Sequence, residues 1–156
     1  MIVEARRSIL PDIAPIAASM RPEDRAEVLA ASGDTPINAL RYGYLYCDEC
    51  FTVVAQESRE PVAMFGYKVV EKDVGAVVWL LASTRLLDYR WSFLRQSRQW
   101  MDYFQTKVPL LYNAVDQRNT VHIRWLDWLG FQFIRTIPEY GTMKLPFVEF
   151  ARMRHG

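Results

Sequence analysis

His122 is the side chain in this sequence best suited to moving a proton, and it lies in the run Asn-Thr-Val-His-Ile-Arg-Trp-Leu that begins at Asn119. An imidazole titrates at about pH 6.5, so it can give or take a proton at neutral pH. Leu126 follows one helical turn later and projects from the same side of a helix. Two interpretations are open: His122 acts in a reaction or binds a substrate, or it is a hydrogen-bonded histidine packed under a sheet.

The two ends of this run have the residues that begin and end a helix. Asn119 is a good N-cap, because its side-chain oxygen can accept a hydrogen bond from a free N–H of the first turn. Gly130 suits the position after the last turn, because glycine adopts a positive φ without a steric clash. Phe131 then begins a strand-like run. The sequence therefore predicts a short capped helix followed directly by a strand.

Other candidates for acid–base chemistry are a tyrosine and three carboxylates. Tyr112 lies in a short apolar run, where its hydroxyl could face a cleft or its ring could simply pack. Glu71, Asp73 and Asp116 could serve as a general base or could be solvated turn charges. The apolar stretch 79–82 offers no carboxylate.

The cysteine content argues against a structural zinc site. Cys47 and Cys50 are the only cysteines and form a single Cys-x-x-Cys pair. A structural zinc ion needs four ligands, and the sequence has no second pair. A thioredoxin-type pair usually begins a helix after a strand, whereas this pair precedes a strand-like run. We expect two reduced thiols and no bound metal.

The charge balance excludes a strongly basic nucleic-acid-binding protein. The formal net charge is only +1 over 156 residues, a length that we expect to form one domain spanning residues 1–156. The segment from Arg85 to Arg98 is locally basic, which suits either phosphate binding or a solvated helix face. Charged residues interrupt the N-terminus, and no apolar run approaches the ~18 residues of a membrane span. We expect a cytoplasmic protein that is not bound to a membrane.

The hydrophobic patterns predict an α/β protein with a mixed sheet. The order is strand, helices, three strands, a long helix, strand, helix and two strands. The predicted strands are 1–6, 51–56, 62–70, 76–82, 110–115, 131–137 and 145–150, and the predicted helices are 8–20, 22–31, 35–45, 88–107 with Asp88 as its N-cap, and 119–129.

This order, together with the capped helix, resembles the GNAT acyltransferase superfamily over essentially the whole chain. The family pattern Asn-x-x-Ala-x-x-x-Tyr-x-x-x-Gly-Phe is matched by Asn119, Gly130 and Phe131, with Leu129 before the glycine. His122 stands at the alanine position. Leu126 stands at the position of the tyrosine that protonates the leaving thiolate in many family members. Leucine has no proton to give, so the usual general acid is absent there.

The resemblance implies a fold and a cofactor site. The fold is a mixed, mostly antiparallel twisted sheet with helices on both faces, in which the fourth and fifth strands splay apart. Acetyl-CoA, or another acyl-CoA, is expected in this cleft. The family's glycine-rich phosphate loop is missing, since Trp91, Phe93 and Arg95 stand where small residues are usual. The residues expected to bind the cofactor are Leu80, Leu81, Ala82 and Ser83 on the strand, Asn119, and the side chains of Arg85, Arg90 and Arg95. His122 and Tyr112 are the expected catalytic residues.

The variant sequence from Asn119 to Leu126, together with Trp-Leu-Leu-Ala-Ser at 79–83, resembles one subgroup, the small GNAT-like proteins of tailed bacteriophages, some described as internal virion proteins. This implies an acyl transfer to an amine, with a host bacterial protein as one acceptor or partner, in the host cytoplasm or the virion. The alternative is a catalytically inactive scaffold that binds a host enzyme or serves the virion structure, with Trp91 or Trp128 anchoring the interface. The oligomeric state is left open.

Overall fold

The computed structural model describes residues 2–154, so Met1 at the start of the first predicted strand lies outside it. Seven strands and five α-helices follow the predicted order. They are β1 (Val3–Arg7), α1 (Ile13–Ala18), α2 (Pro22–Ser32), α3 (Pro36–Tyr46), β2 (Glu49–Ala55), β3 (Pro61–Glu71), β4 (Gly75–Ala82), α4 (Arg90–Phe104), β5 (Leu110–Asp116), α5 (Thr120–Trp128), β6 (Gln132–Tyr140) and β7 (Leu145–Met153).

All seven strands form one sheet in the order β1-β2-β3-β4-β5-β7-β6. Each neighbouring pair is antiparallel except β4 and β5, which are parallel. The parallel pair is joined over only three residues of each strand, ending with Val77 opposite Tyr112. Beyond that point the two strands splay apart. The predicted mixed sheet with a cleft between the fourth and fifth strands is confirmed.

Helices cover both faces of the sheet. Helices α1 to α3 pack on one face in a cluster that includes Leu40, Met64 and Leu81. Helices α4 and α5 pack on the other face, where Phe104 and Trp125 belong to the larger cluster. Within residues 2–154 no helix is long and apolar enough to cross a membrane.

Two predicted helix starts were wrong. The helix expected from Ser8 begins only at Ile13, after a 3-10 turn at Leu10–Asp12. This start places Pro15 in the first turn, where its missing N–H costs nothing. The fourth helix begins at Arg90 rather than Asp88, because Ser83 accepts a hydrogen bond from the Arg85 N–H and starts a 3-10 segment that includes Asp88.

A hairpin turn fixes the position of α2 over the cleft. Gly141, in the turn between β6 and β7, has φ 71°, and a Cβ there would lie 2.6 Å from the carbonyl oxygens of Ala30 and Ala31. Those two carbonyls accept hydrogen bonds from the N–H groups of Met143 and Thr142 respectively. These hydrogen bonds hold the C-terminal end of α2 against the β6–β7 turn, and the inner face of α2 lies against β5.

Candidate active site between strands β4 and β5

A cavity of about 540 Å³ lies at the splay between β4 and β5. Its lining comes from helices on both faces of the sheet, so the cavity passes between the two strands. On the α3 side, which we call the polar arm, it is lined by Glu27, Tyr42, Cys47, Lys68 and Trp79. On the α4–α5 side, which we call the apolar arm, it is lined by Phe93, Trp100, Met101, Trp125, Leu126 and Leu129.

Trp79 and helix α3 form a close contact in the polar arm. Its ring lies so near Gly43 that a Cβ at that position would be 2.5 Å from it. The indole N–H of Trp79 donates to Cys47 Sγ at 2.7 Å. Burial raises the pKa of both Cys47 and Cys50, the latter to about 11, and both thiols are free. Residues 2–154 contain no group of His, Cys, Asp and Glu side chains that could hold a metal ion.

The chain itself occupies the end of β4 that faces the splay. The segment before α2 pairs antiparallel with the strand end through a bridge between Met20 and Ser83. The Arg21 N–H donates to the Ala82 carbonyl at 2.8 Å, and the Ala82 N–H donates to Asp24 Oδ2 at 3.0 Å. Both backbone groups of Ala82 are therefore used within the protein.

One residue of the β4 edge remains open to the cavity. The Val78 carbonyl accepts a hydrogen bond from Asn113 Nδ2 at 2.9 Å, across the splay. The backbone N–H and carbonyl groups of Val78 and Ala82 point away from β3. In a strand these groups point to the same side at every second residue, so the backbone groups of Leu80 point the same way. The N–H and carbonyl of Leu80 thus face the splay between the Asn113 bridge and the Ala82 contacts.

A polar cluster closes the wide end of the splay; it consists of the buried residues Arg21, Asp24, Asp116 and Asn119 and the half-buried Glu27. Arg21 is 1% exposed and donates to Asp24 Oδ1 at 2.8 Å and to Asn119 Oδ1 at 3.3 Å. Asn119 Nδ2 donates to Asp24 Oδ1 at 2.9 Å and to Glu27 Oε1 at 3.3 Å. The Arg21 guanidinium also lies 5.4 Å from the centre of the Trp125 ring.

The prediction that Asn119 caps helix α5 was wrong. Its side chain accepts no hydrogen bond from the helix, although Asn119 is the residue before its first turn. Instead, the side-chain amide of Asn119 forms hydrogen bonds with Arg21, Asp24 and Glu27 of the polar cluster, and Asn119 is 1% exposed. The other end of the helix behaves as predicted, since Gly130 has φ 89°.

Glu27 is a candidate base that the sequence did not predict. It lies on the cavity wall and accepts hydrogen bonds from the Asp116 N–H at 2.9 Å and from Asn119. Burial raises its pKa to about 8, and the nearby charges of Asp24 and Asp116 act in the same direction. A carboxyl group with such a pKa can accept a proton from an amine near neutral pH. In sequence, Glu27 looks like one more acid in an ordinary helix, because its partner Asn119 lies 92 residues away.

His122 lies on the cavity wall beside the polar cluster. It is buried, and its Nδ1 has no hydrogen-bond partner within residues 2–154. Burial lowers the pKa of His122, and the positive charge of Arg21 lowers it further, while Asp24 opposes both. The imidazole is therefore neutral at pH 7, which favours hydrogen bonding over the donation of a proton.

Tyr112 does not lie in the cleft. It is in the last joined pair of β4 and β5, and its hydroxyl donates to the Glu71 carboxylate at 3.3 Å. The expectation that it faces the splay was wrong, because the strands separate only after this residue. Asp73 lies in the β3–β4 turn, whereas Asp116 is buried and paired with Arg118 at 2.7 Å.

The expected cofactor-binding residues are divided between the cavity and the surface. Leu80 and Leu81 line the cavity, whereas Ala82 and Ser83 form the contacts with the α2 segment and the 3-10 turn. The three arginines lie outside the cavity lining. Arg85 lies 3.6 Å from Glu60 and 3.7 Å from Asp88, Arg90 donates to the Leu87 carbonyl, and Arg95 is exposed. Their roles stay predictions.

Sequence comparisons find no match for this chain: no protein-family model matches it, and neither does any curated protein.

Solved structures do match it in fold. A GNAT-family acetyltransferase from Bacillus anthracis has a TM-score of 0.72 at 8% identity, covering 98% of this chain and 95% of its own. Spermidine N-acetyltransferase from Vibrio cholerae, solved with CoA and spermine, has a TM-score of 0.70 at 12% identity, covering 97% and 95%. The ribosomal-protein-S18-alanine N-acetyltransferase from Escherichia coli has a TM-score of 0.69 at 14% identity, covering 99% and 96%. The chain therefore has the fold of the GNAT N-acetyltransferases.

Proposed function

We propose that this protein is an acyl-CoA-dependent N-acyltransferase that uses the cavity between β4 and β5 as its active site. The observation that carries the proposal is a cavity that passes through the sheet and has Glu27 on its wall. The fold supports it too, since one structure with this fold holds CoA and an amine, spermine. The acceptor is an amine that enters the polar arm, where Glu27 is placed to take its proton.

The proposed reaction needs one proton acceptor and one thioester. The amine nitrogen attacks the thioester carbonyl carbon, the carbon–sulfur bond breaks, and the proton of the nitrogen passes to the Glu27 carboxylate. CoA leaves as the thiolate and takes a proton from Glu27 or solvent. The free N–H of Leu80 is the backbone donor best placed to bond an acyl oxygen in the splay. Positioning contributes most of the rate, and proton transfer adds a smaller share.

His122 would act in this scheme as a neutral hydrogen-bonding group. Its neighbour Leu126 offers no proton, and a histidine with a lowered pKa is a poor acid at neutral pH. The further proposals from the sequence resemblance are that the protein is of phage type, that the acceptor is on a host bacterial protein, and that it works in the host cytoplasm or the virion.

A second candidate function is a catalytically inactive scaffold that binds a partner protein. The observation that favours it is the contact between the α2 segment and the end of β4. Both backbone groups of Ala82 are already bonded to Arg21 and Asp24, which leaves Leu80 as the open position on that edge. The exposed rings of Trp91 and Trp128 would then be the anchors of an interface.

One calorimetric titration separates the two candidates. CoA and acetyl-CoA are titrated into the full chain, and we expect binding in the micromolar to millimolar range. Absence of heat and of a CoA adduct in native mass spectrometry at millimolar ligand would overturn the enzyme proposal in favour of the scaffold.

The role of Glu27 is tested by Glu27→Gln, with the exposed turn residue Glu57→Gln as its matched control. We expect the Glu27 variant to keep acetyl-CoA binding and to lose about 100-fold or more in kcat towards amines such as spermine. Equal turnover in both variants would exclude Glu27 as the base. In the parent protein kcat should rise with pH up to about pH 8, as the carboxyl ionises.

A further inference from the structure

The cavity as a whole, at about 540 Å³, is far larger than a two-carbon acyl group, and the apolar arm is the less polar of its two arms. Apart from His122 and Ser97, apolar side chains dominate its wall, and the Ser97 hydroxyl already donates to the Leu94 carbonyl at 2.9 Å. The charged residues of the cavity lining, Glu27 and Lys68, both lie in the polar arm. A polar ligand would therefore find few hydrogen-bonding partners in the apolar arm, the first of them His122 Nδ1.

The wall of the apolar arm is made of rings that cannot easily fold inward. Phe93 and Trp125 pack against each other with ring centres 5.5 Å apart, and Trp100 packs at 4.6 Å from Phe51 on the other side. Such contacts hold the rings in fixed positions and keep the space open. An open apolar space of this kind gains free energy from each methylene group that fills it.

The two arms therefore differ in the chemistry that they recognise. The polar arm offers a carboxyl group and suits an amine. The apolar arm offers a continuous hydrocarbon surface and suits an alkyl chain. We propose, resting on the acyl transfer proposed above, that the acyl group is an unbranched aliphatic chain longer than acetyl, and that this chain occupies the apolar arm beside Leu126 and Leu129.

The chain length of the ligand supplies a direct test. CoA and its acetyl, butyryl, hexanoyl and octanoyl thioesters are titrated into the full chain by calorimetry. Each buried methylene contributes about 0.8 kcal/mol, which predicts about a fourfold gain in affinity per added carbon until the arm is full. Equal affinity for acetyl-CoA and octanoyl-CoA would overturn this inference while leaving the proposed transferase intact. Failure of every thioester and of CoA to bind would overturn the transferase proposal.

A second experiment tests the apolar arm in the absence of CoA. Trp100 and Trp125 line the apolar arm, so an entering alkyl chain should change the tryptophan fluorescence. We expect octanoate to shift the emission with a saturable dependence on concentration, and acetate at equal concentration to leave it unchanged. No shift with octanoate, in a protein that binds acetyl-CoA, would contradict the inference.

Variants of the wall of the apolar arm show where the acyl chain binds. Leu126→Phe adds volume inside the apolar arm, and Leu94→Phe adds the same group on helix α4 outside the cavity lining. We expect Leu126→Phe to lower octanoyl-CoA affinity at least fourfold more than acetyl-CoA affinity, and Leu94→Phe to change both alike. The same response in both variants would place the chain elsewhere. The titrations of the parent protein decide the proposal if Leu126→Phe does not fold.

Discussion

The wide end of the splay between β4 and β5 and the apolar arm of the cavity are filled in opposite ways. At the wide end, Arg21, Asp24 and Asn119 close the gap with hydrogen bonds between buried groups. In the apolar arm nearby, rings and leucines leave the space open. Hydrogen bonds are directed, so the polar groups close on one another, apart from Arg21 Nε, which has no partner within residues 2–154. The stiff rings of the apolar arm pack against one another and preserve a gap.

This difference separates a cluster whose groups bind only one another from a part of the core that leaves one side free to bind. The polar cluster joins α2, the end of β4 and the start of α5, three segments distant in sequence, and a change there should cost stability. The apolar arm is lined by residues of the larger core cluster, so these side chains support the fold on one side and face the open cavity on the other. Changes that add volume on the cavity side should alter ligand preference, whereas truncation of these rings should also cost stability.

The largest expected effect is on the polar cluster. Asp24→Ala removes the acceptor for Arg21, Asn119 and the Ala82 N–H, and leaves a guanidinium buried with poor compensation. Breaking a buried pair in this way typically costs about 3–5 kcal/mol. We expect a loss of this size in the free energy of unfolding, measured by urea denaturation.

Glu23→Ala is the matched control for this prediction. Glu23 lies 3.4 Å from the same guanidinium but is largely exposed, so its pair is screened by water. Its removal should cost about 0–1 kcal/mol. Similar losses in the two variants would mean that the cluster is no more than a surface ion pair, and the contrast between the polar cluster and the apolar arm would fail.

The next largest effect is a pH dependence of the free energy of unfolding, caused by Glu27. Its pKa is raised from 4.5 to about 8 in the folded protein, so the folded state binds the proton more tightly than the unfolded state. Its contribution to stability is complete below about pH 4.5 and is lost as the pH rises through about 8. Between pH 5 and 7 the loss should be about 2 kcal/mol.

Glu27→Gln should remove this dependence. The quantity to measure is the difference in unfolding free energy between the parent protein and the variant, at pH 5 and at pH 7. We expect the parent to lose stability relative to the variant as the pH rises. A difference that stays constant, or that changes in the opposite direction, would show that Glu27 is already ionised at pH 5.

The order of elements could be predicted from the sequence because its signals are local. The apolar run at 76–82 predicted the strand β4, and Gly130 marked the end of α5 with a positive φ. The position of the splay followed from the resemblance of the whole order to one family. The two wrong helix starts involve Pro15 and Ser83. Pro15 lies in the first turn of α1, and Ser83 starts the 3-10 segment before α4. Each residue affects the backbone only over about one turn.

The polar cluster could not be predicted, because its partners are far apart in sequence. Asn119 has the local features of a helix cap, but Asp24 and Arg21, 95 and 98 residues away, bind its amide. Asp24 and Glu27 have the local features of acids in the first turns of a helix. Only the pairing of the α2 segment with β4 brings these groups together and buries them.

The smallest expected effect is at Asn113, which lies between the two regions. Its Nδ2 donates to the Val78 carbonyl and bridges the strands just beyond their last backbone pair. Asn113→Ala loses two neutral hydrogen bonds, because Asn113 Oδ1 also accepts one from the Ala114 N–H at 2.8 Å. Val78 and Ala114 both line the cavity, where water can reach the freed backbone groups, so the cost should be about 1–2 kcal/mol. Asn38→Ala, on the exposed side of α3, is the control and should change the unfolding free energy by less. A loss well above that of two solvent-accessible hydrogen bonds would mean that this part of the splay excludes water and belongs with the polar cluster.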